Sequence, residues 1–203
     1  MTVLLAMLMV AAFLAADFAL EGRRKRRAAA SALFHRGHTW VLPGARGFAH
    51  VGIDDFARQI IGAIDWIEFP EPGREVRQGD PLFSVVRGGR KIEFVAPIEG
   101  RVVSVRHEAA RASVPGDDPY RKGYFLTLDP TDMKRDAAEL KSADEAPRWI
   151  ERELARLYEF VGLQMARPLS VGATMRDGGA YAAGIVDKID EPLFTELVRN
   201  FLR

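Results

Sequence analysis

The sequence contains no cysteine among its 203 residues. Disulfide bonds, thiolate metal sites and thiol catalysis are therefore excluded. Lysine is scarce beside arginine, which leaves few positions for any chemistry that needs a side-chain amine. The lysines are Lys25, Lys91, Lys122, Lys134, Lys141 and Lys188.

The sequence also has little net charge. Its 29 basic and 28 acidic residues give a formal charge of +1 at pH 7. Because there is no global basic field of the kind that attracts a polyanion, no nucleic-acid partner is predicted.

Motifs that would indicate catalysis are missing as well. No Ser-His-Asp arrangement or paired carboxylate motif is evident, and the glycine pairs at 88–89 and 178–179 lack the lysine of a phosphate-binding loop. His35 and His38 have a spacing that suits a metal on a helix, but they precede a strand and no third ligand is evident. The sequence therefore predicts neither an enzyme nor a metal site.

The apolar run over residues 2–20 decides the predicted location. It carries no charge before Asp17, and roughly 20 apolar residues are enough to cross a bilayer as a helix. No basic residue precedes the run, which is the reverse of the pattern of a cleaved secretory signal. A dense basic cluster follows it, made of Arg23, Arg24, Lys25, Arg26 and Arg27.

Under the positive-inside rule, this pattern predicts a single-pass anchor over 1–21 in the inner (cytoplasmic) membrane, with the later residues in the cytoplasm. The basic cluster over 23–27 is expected to lie against anionic headgroups of the lipid bilayer. Asp17 indicates membership of a larger membrane complex, because ionisable groups in lipid usually face protein. A buried N-terminal helix and a signal peptide with an unusual charge pattern are the alternatives.

Beyond a basic linker over 22–37, short apolar segments separated by turn residues predict strands. Asp54 is expected to cap one short helix that Gly62 ends. Many short strands at close spacing are typical of a small sandwich or a flattened barrel. The predicted strands are His38–Leu42, Ala49–Ile53, Ile64–Phe69, Pro81–Val86, Ile92–Ala96, Arg101–Val105 and Tyr124–Leu128.

Four strings within this region carry a family resemblance. They are HTWV from His38, VGIDDFARQIIGAIDWIEFPEPGREVRQGDPLFSVV from Val51, APIEGRVVSV from Ala96 and DDPYRKGYFLTLDPTD from Asp117. In order and spacing they resemble the H protein of the glycine cleavage system over residues 38–132. The resemblance implies a mainly β, lipoyl-domain-like flattened barrel or sandwich with C-terminal helices, joined here to one N-terminal transmembrane helix.

The resemblance also implies a hairpin that displays a lipoyl-lysine on its turn. The position that matches the family lysine, counted back from Pro97, is Gly89 in this chain. The nearest lysine is Lys91, which lies on the same strand face but below the turn. The family's Glu-Ser-x-Lys-Ala signature is missing too. The sequence therefore predicts no bound cofactor, with lipoate on Lys91 as the alternative.

Arg87, Gly88 and Arg90 surround this turn and form a small basic tip. Such a tip suits an acidic partner protein or a phosphate, so these residues are candidates for partner binding. A solvated turn that its charges keep soluble is the simpler interpretation.

A helical region over 133–166 is followed by a tail over 167–203 that the family usually lacks. Leu169–Met175 and Ala180–Val186 predict a hairpin with an Asp-Gly-Gly turn. Asp190 is expected to cap a last helix. That helix has an apolar stripe, which either packs on its own domain or docks on another subunit; the stripe is made of Phe194, Leu197, Val198 and Phe201.

These features together predict a membrane-anchored, non-catalytic adaptor or structural subunit of a membrane complex. Its expected partners are the lipid bilayer and other protein subunits. The rival interpretation is a membrane-tethered lipoyl carrier that uses Lys91 to shuttle groups between enzymes. A periplasmic transport adaptor is a third interpretation, although the long coiled-coil hairpin expected of such a protein is absent.

Overall fold

The computed structural model describes residues 31–110, 120, 123–165 and 184–202. Short strands account for most of the regular structure in these residues. They are β1 (Leu33–Phe34), β2 (Thr39–Pro43), β3 (Ala49–Ile53), β4 (Trp66–Glu68), β5 (Glu75–Val76), β6 (Pro81–Arg87), β7 (Arg90–Val95), β8 (Gly100–Val105), β9 (Leu126–Pro130) and β10 (Lys141–Ser142).

Within the described residues these strands form two antiparallel sheets. The larger sheet has seven strands in the order β10-β1-β2-β3-β9-β8-β5. The smaller sheet has three strands in the order β4-β6-β7, so that β6 and β7 form a hairpin beside the short edge strand β4.

The two sheets share one apolar core. Phe83 and Phe94 of the smaller sheet stack with their ring centroids 5.5 Å apart. Phe83 also meets Phe125, which precedes β9, edge to face at 5.4 Å. All three rings are buried. The mainly β, sandwich-like domain with helices agrees with the part of the predicted fold class that concerns this domain.

Four α-helices accompany the sheets in the described part of the chain: α1 (Asp55–Ile61), α2 (Met133–Ala137), α3 (Ala146–Met165) and α4 (Glu191–Phe201). Two predicted caps are present. The Asp54 carboxylate accepts the Ala57 N–H at 2.9 Å at the start of α1. Asp190 accepts the Leu193 N–H at 3.1 Å at the start of α4. Each carboxylate satisfies a backbone donor that the first turn of a helix leaves free.

The prediction of a linker over 22–37 is wrong at its C-terminal end. Leu33 and Phe34 form β1, which pairs with β2 and with β10. Ala32 and Phe34 belong to a buried cluster with Trp40 and Trp149. A two-residue strand has no local signal of its own, because its stability comes from partners far along the chain. The folded domain therefore includes residues 32–34, which the predicted linker contained.

The hairpin predicted in the tail lies mostly outside the described residues. The end of its second strand, predicted over Ala180–Val186, is described, and Ile185–Asp187 forms a 3-10 turn instead of a strand. The Gly184 N–H donates to the Gln59 carbonyl on α1 at 3.0 Å. This end of the predicted strand is therefore bonded to the domain.

The anchor predicted over 1–21 and the basic cluster over 23–27 lie outside the described residues as well. Among the residues that the structure does describe, no helix combines the length and the apolarity that a bilayer span requires.

Candidate functional site at the hairpin apex

The β6–β7 hairpin ends in a tight two-residue turn. Val86 pairs with Lys91 and Arg87 pairs with Arg90, which leaves Gly88 and Gly89 as the turn residues. Their φ angles are 56° and 77°. Positive φ at both central positions is typical of a type I′ turn, in which glycine is strain-free and other residues are not.

The alternation of side chains along the strands divides the hairpin into two faces. Val85 and Ile92 are fully buried in the core. Since residues two apart on a strand share a face, Arg87 and Arg90 continue this inner face beyond the end of the core. Lys91 lies on the opposite, outer face.

Lys91 is exposed, and its ammonium group forms an ion pair with the Glu68 carboxylate on β4. Its side chain is 56% exposed and that of Glu68 is 46% exposed. An exposed pair of this kind contributes little to stability and leaves the amine within reach of solvent. Lys91 therefore stands on the side of the hairpin and not on its apex.

Arg87 joins the hairpin to two acidic residues from different parts of the chain. Its Nη2 donates to Asp187 at 2.7 Å and its Nη1 donates to Asp65 at 3.0 Å. Asp65 also accepts the Gly88 N–H at 2.7 Å. The hydrogen bond between Arg87 and Asp187 is the main reason that the pKa of Arg87 lies above its ordinary value and that of Asp187 below it.

Arg90 binds the segment that follows Gly184. Its guanidinium donates to the Val186 carbonyl and, at 2.7 Å, to the Ile189 carbonyl. It also pairs with Glu191 at 3.2 Å. The same guanidinium lies over the Phe194 ring, 5.0 Å from its centroid, which is a cation–π distance.

The apolar stripe of α4 packs on this chain's own domain. Phe194, Leu197 and Phe201 are buried in the main core, and Val198 is partly buried against it. Phe201 contacts the Phe56 ring of α1 with their centroids 6.3 Å apart. The two ways of covering this stripe that the sequence left open are thus resolved in favour of intramolecular packing.

The histidines have structural surroundings. The buried His38 ring is stacked between Phe56 and Trp149, with its Nδ1 2.8 Å from the Asp54 carboxylate. His35 Nδ1 accepts the Gly37 N–H at 3.0 Å. Burial, with the nearby Arg36 charge, lowers the pKa of His35 to about 4. No cluster suited to a metal ion occurs among the described residues.

Two residues of the apex were missed by the sequence analysis. Asp65 and Asp187, which lie on opposite sides of the hairpin in the sequence, both form ion pairs with Arg87. Neither has a local signal, because a lone aspartate before a strand or within a turn is ordinary surface chemistry. The two glycines and the two arginines were found because they are adjacent in sequence.

Comparison with known proteins extends over the sheets and the start of α3. The family model described as "Glycine cleavage H-protein" matches residues 32–153. The glycine cleavage system H protein of Halalkalibacterium halodurans is 35% identical over 118 residues, covering 57% of this chain and 90% of that protein. The glycine cleavage system H protein of Anaeromyxobacter sp. (strain K) is 32% identical over 122 residues, with 59% and 93% coverage.

A solved structure is also similar in part. The crystal structure of a glycine cleavage system H protein from Mycobacterium marinum has 26% sequence identity and a TM-score of 0.48, covering 57% of this chain and 93% of that one. The residues of α4 and of the turn before it lie beyond the range that the family model matches.

Proposed function

Because this chain belongs to the glycine cleavage H-protein family through residues 32–153, we propose that it is a membrane-anchored, non-catalytic adaptor or structural subunit of a membrane complex, without a lipoyl group. The proposal places the H-protein-like domain in the cytoplasm. It also assigns the lipid bilayer and other subunits of the complex as partners.

The state of the hairpin apex carries this proposal. Gly89 occupies the position that matches the family's lipoyl-lysine, and both turn residues are glycines with positive φ. The only lysine of the hairpin, Lys91, is on its outer face and is paired with Glu68. A lipoyl arm works by carrying a reactive group from the apex into partner active sites, and this apex offers no amine to hold it.

The sequence before the domain supports the location. Residues 2–20 are long and apolar enough for one span, and the basic cluster over 23–27 follows directly. Only residues 28–31 separate that cluster from Ala32, which is buried in the domain. A domain tethered so closely would stay beside the headgroups, where an adaptor for membrane subunits is needed.

A membrane-tethered lipoyl carrier is the second candidate. Exposure of Lys91 favours it, because the ion pair that holds its ammonium group is itself exposed. In this case the lipoyl arm would leave the hairpin from its side, two positions after the turn residue Gly89.

The deciding experiment is mass spectrometry of the protein purified from its native membrane, with peptide mapping across residues 87–94. We expect the unmodified mass in cells whose ordinary lipoyl proteins are modified. A Lys91→Arg variant provides the matched control, since it keeps the charge opposite Glu68 but cannot accept an acyl group. A lipoyl group that is found on Lys91 and is absent from the variant would contradict the adaptor proposal and support the lipoyl carrier.

The adaptor role is tested by gentle solubilisation of the same membranes. We expect this chain to purify with other membrane proteins in fixed ratio. If this chain migrates alone, and the peptide that contains Lys91 has its unmodified mass, the chain is not a subunit of a stable complex.

A further inference from the structure

Residues 184–202 form a continuous segment that covers one side of the hairpin apex, and we call it the C-terminal cap. It contains the 3-10 turn Ile185–Asp187 and α4. The cap is outside the range that the family model matches, so it is an addition to the family's domain.

The cap binds the inner face of the hairpin at its tip. Arg87 and Arg90 are the last residues of that face, and both guanidinium groups point to the cap. Arg87 makes contacts of 2.7–3.0 Å with the Asp187 carboxylate, and Arg90 donates to two backbone carbonyls of the cap. A side-chain atom added at Gly88 would stand 3.6 Å from Asp187, so the cap is in contact with the turn itself.

The cap is fixed on its other side by the main core. Val186, Leu197 and Leu202 have no exposed surface, and Phe194 and Phe201 are nearly as buried. The Gly184 N–H is bonded to the Gln59 carbonyl of α1. Ion pairs at the tip therefore orient a segment that apolar burial already holds in place.

On the solvent side of the apex, no atom of the described residues lies within 4 Å of a Cβ built on Gly89, so a side chain has room there, although the positive φ strains any residue but glycine. What the cap removes is access to the tip from the inner face. A protein that approaches the turn from this face would collide with the cap.

We propose that the C-terminal cap hinders lysine-acylating enzymes at the hairpin apex, because it covers the inner face of the turn. This inference rests on the proposed function and deepens it: the chain lacks the lysine and also covers one face of the turn on which a lysine would stand. The reaction that is excluded forms an amide between the lysine amine and the carbonyl carbon of an activated lipoyl group. The activating group leaves with the electrons of the broken bond, and the amine releases one proton.

The test installs the family lysine. Gly89→Lys is made in the full chain and in a chain shortened after residue 183, and both are incubated with a lipoyl-attaching enzyme, its activated lipoyl donor and the Halalkalibacterium halodurans H protein as a positive control. The shortened chain keeps all residues that the family model matches. Circular dichroism and amide hydrogen exchange of β6 and β7 verify that it is folded.

We expect the shortened Gly89→Lys chain to be lipoylated at least ten times faster than the full-length Gly89→Lys chain. Comparable rates in the two chains overturn the proposal, because the cap then gives no protection. Failure of both folded chains to react overturns it as well, since the sequence around the turn and not the cap would be the barrier.

A second comparison keeps the full chain and does not depend on the folding of the shortened one. Asp187→Lys places a cation beside Arg87 and Arg90 and should loosen the turn of the cap, whereas Glu151→Lys makes the same charge change at an exposed position on α3. With Gly89→Lys in both, we expect at least a threefold faster reaction for the Asp187→Lys chain, and equal rates contradict the proposal. The proposed function is tested separately, by the mass of the peptide that contains Lys91 in the unaltered protein.

Discussion

At the scale of single residues, His35 shows how the domain uses polar groups that it buries. The ring is almost wholly enclosed and accepts one backbone hydrogen bond, from Gly37. Burial disfavours the charged form, so the pKa of His35 falls from 6.5 to about 4. His35 is thus a neutral acceptor that shapes the loop before β2.

The lowered pKa of His35 predicts a pH dependence of stability. Between pH 6.5 and 4 the unfolded chain binds a proton at this ring and the folded chain does not, so the free energy of unfolding falls as the pH falls. The loss should reach roughly 1–3 kcal/mol at pH 4. Urea unfolding at several pH values measures it.

His35→Asn is the matched variant for that experiment, because its side-chain oxygen can still accept the Gly37 N–H but does not titrate. We expect a flatter pH profile for the variant across this window. Parallel profiles for the two proteins would show that His35 is not the responsible group.

Gly100, the first residue of β8, predicts a steric effect. A Cβ at this position would lie 2.4 Å from the Asp129 carbonyl oxygen of the paired strand β9. Since that atom is backbone, β8 and β9 would have to separate, and Gly100→Ala should lower the free energy of unfolding by about 2–3 kcal/mol.

Gly162 in α3 provides the control for this substitution. No atom lies within 4 Å of its added Cβ, so Gly162→Ala should stabilise the protein by roughly 0.5–1 kcal/mol through helix propensity. Thermal or urea unfolding of both variants measures the difference in sign. Equal effects would mean that the β8–β9 pair adapts to a methyl group.

At the scale of elements, the hairpin and the C-terminal cap form one unit although they are far apart in sequence. The Arg90 guanidinium contacts two backbone carbonyls and one carboxylate of the cap, and it lies over one aromatic ring. Arg90 also supplies the hydrogen bond that the buried Val186 carbonyl requires, so it stabilises the cap as well as orienting it.

Arg90→Ala is therefore expected to lower the free energy of unfolding by about 1–3 kcal/mol, because it leaves a buried acceptor without its donor. Hydrogen exchange should rise first in residues 185–191. Arg101→Ala is the control: its exposed pair with Asp129, at 3.6 Å, should contribute less than about 1 kcal/mol. Similar losses in the two variants would contradict a special role for Arg90.

Local signals in the sequence predicted the elements that local chemistry determines. Strands β2 and β3 and the caps Asp54 and Asp190 follow from alternation and from hydrogen-bonding side chains before a helix. β1 and β10 were missed, since each is two residues long and exists through its partners. The turn at 185–187 was predicted as a strand because nothing nearby reveals the arginines of the hairpin.

The same contrast holds for the candidate site. The Gly-Gly turn, the displaced Lys91 and the flanking arginines were visible in one short string of sequence. The assignment of Arg87 and Arg90 to the cap was not, because it depends on packing between segments about 100 positions apart. The sequence therefore identified the residues of the apex but not their intramolecular partners.

At the scale of the whole molecule, the proposed anchor and the domain are close neighbours along the chain. Residue 32 is already buried, so the span over 2–20 and the folded domain are joined by a short basic stretch. The orientation of that proposed span determines in which compartment the hairpin and its cap lie.

We expect a reporter that is active only in the cytoplasm to be active when fused to the C-terminus. The reason is the basic cluster after the span, which favours retention of that side in the cytoplasm. Replacing the cluster over 23–27 with glutamines and placing lysines before residue 2 should reduce the signal or reverse the orientation. A periplasmic signal from the unaltered chain would overturn the proposed location.

The distance in sequence between Arg90 and its partners also has a consequence in time. These partners lie 96, 99 and 101 positions further along the chain. A ribosome adds about 5–20 residues per second, so on the order of 5–20 s pass between synthesis of the hairpin and arrival of its cap. Throughout that interval a nascent hairpin would meet acylating enzymes with both faces open. Glycine at residue 89 offers no amine on the turn, so under the proposal the turn needs no cover during this interval.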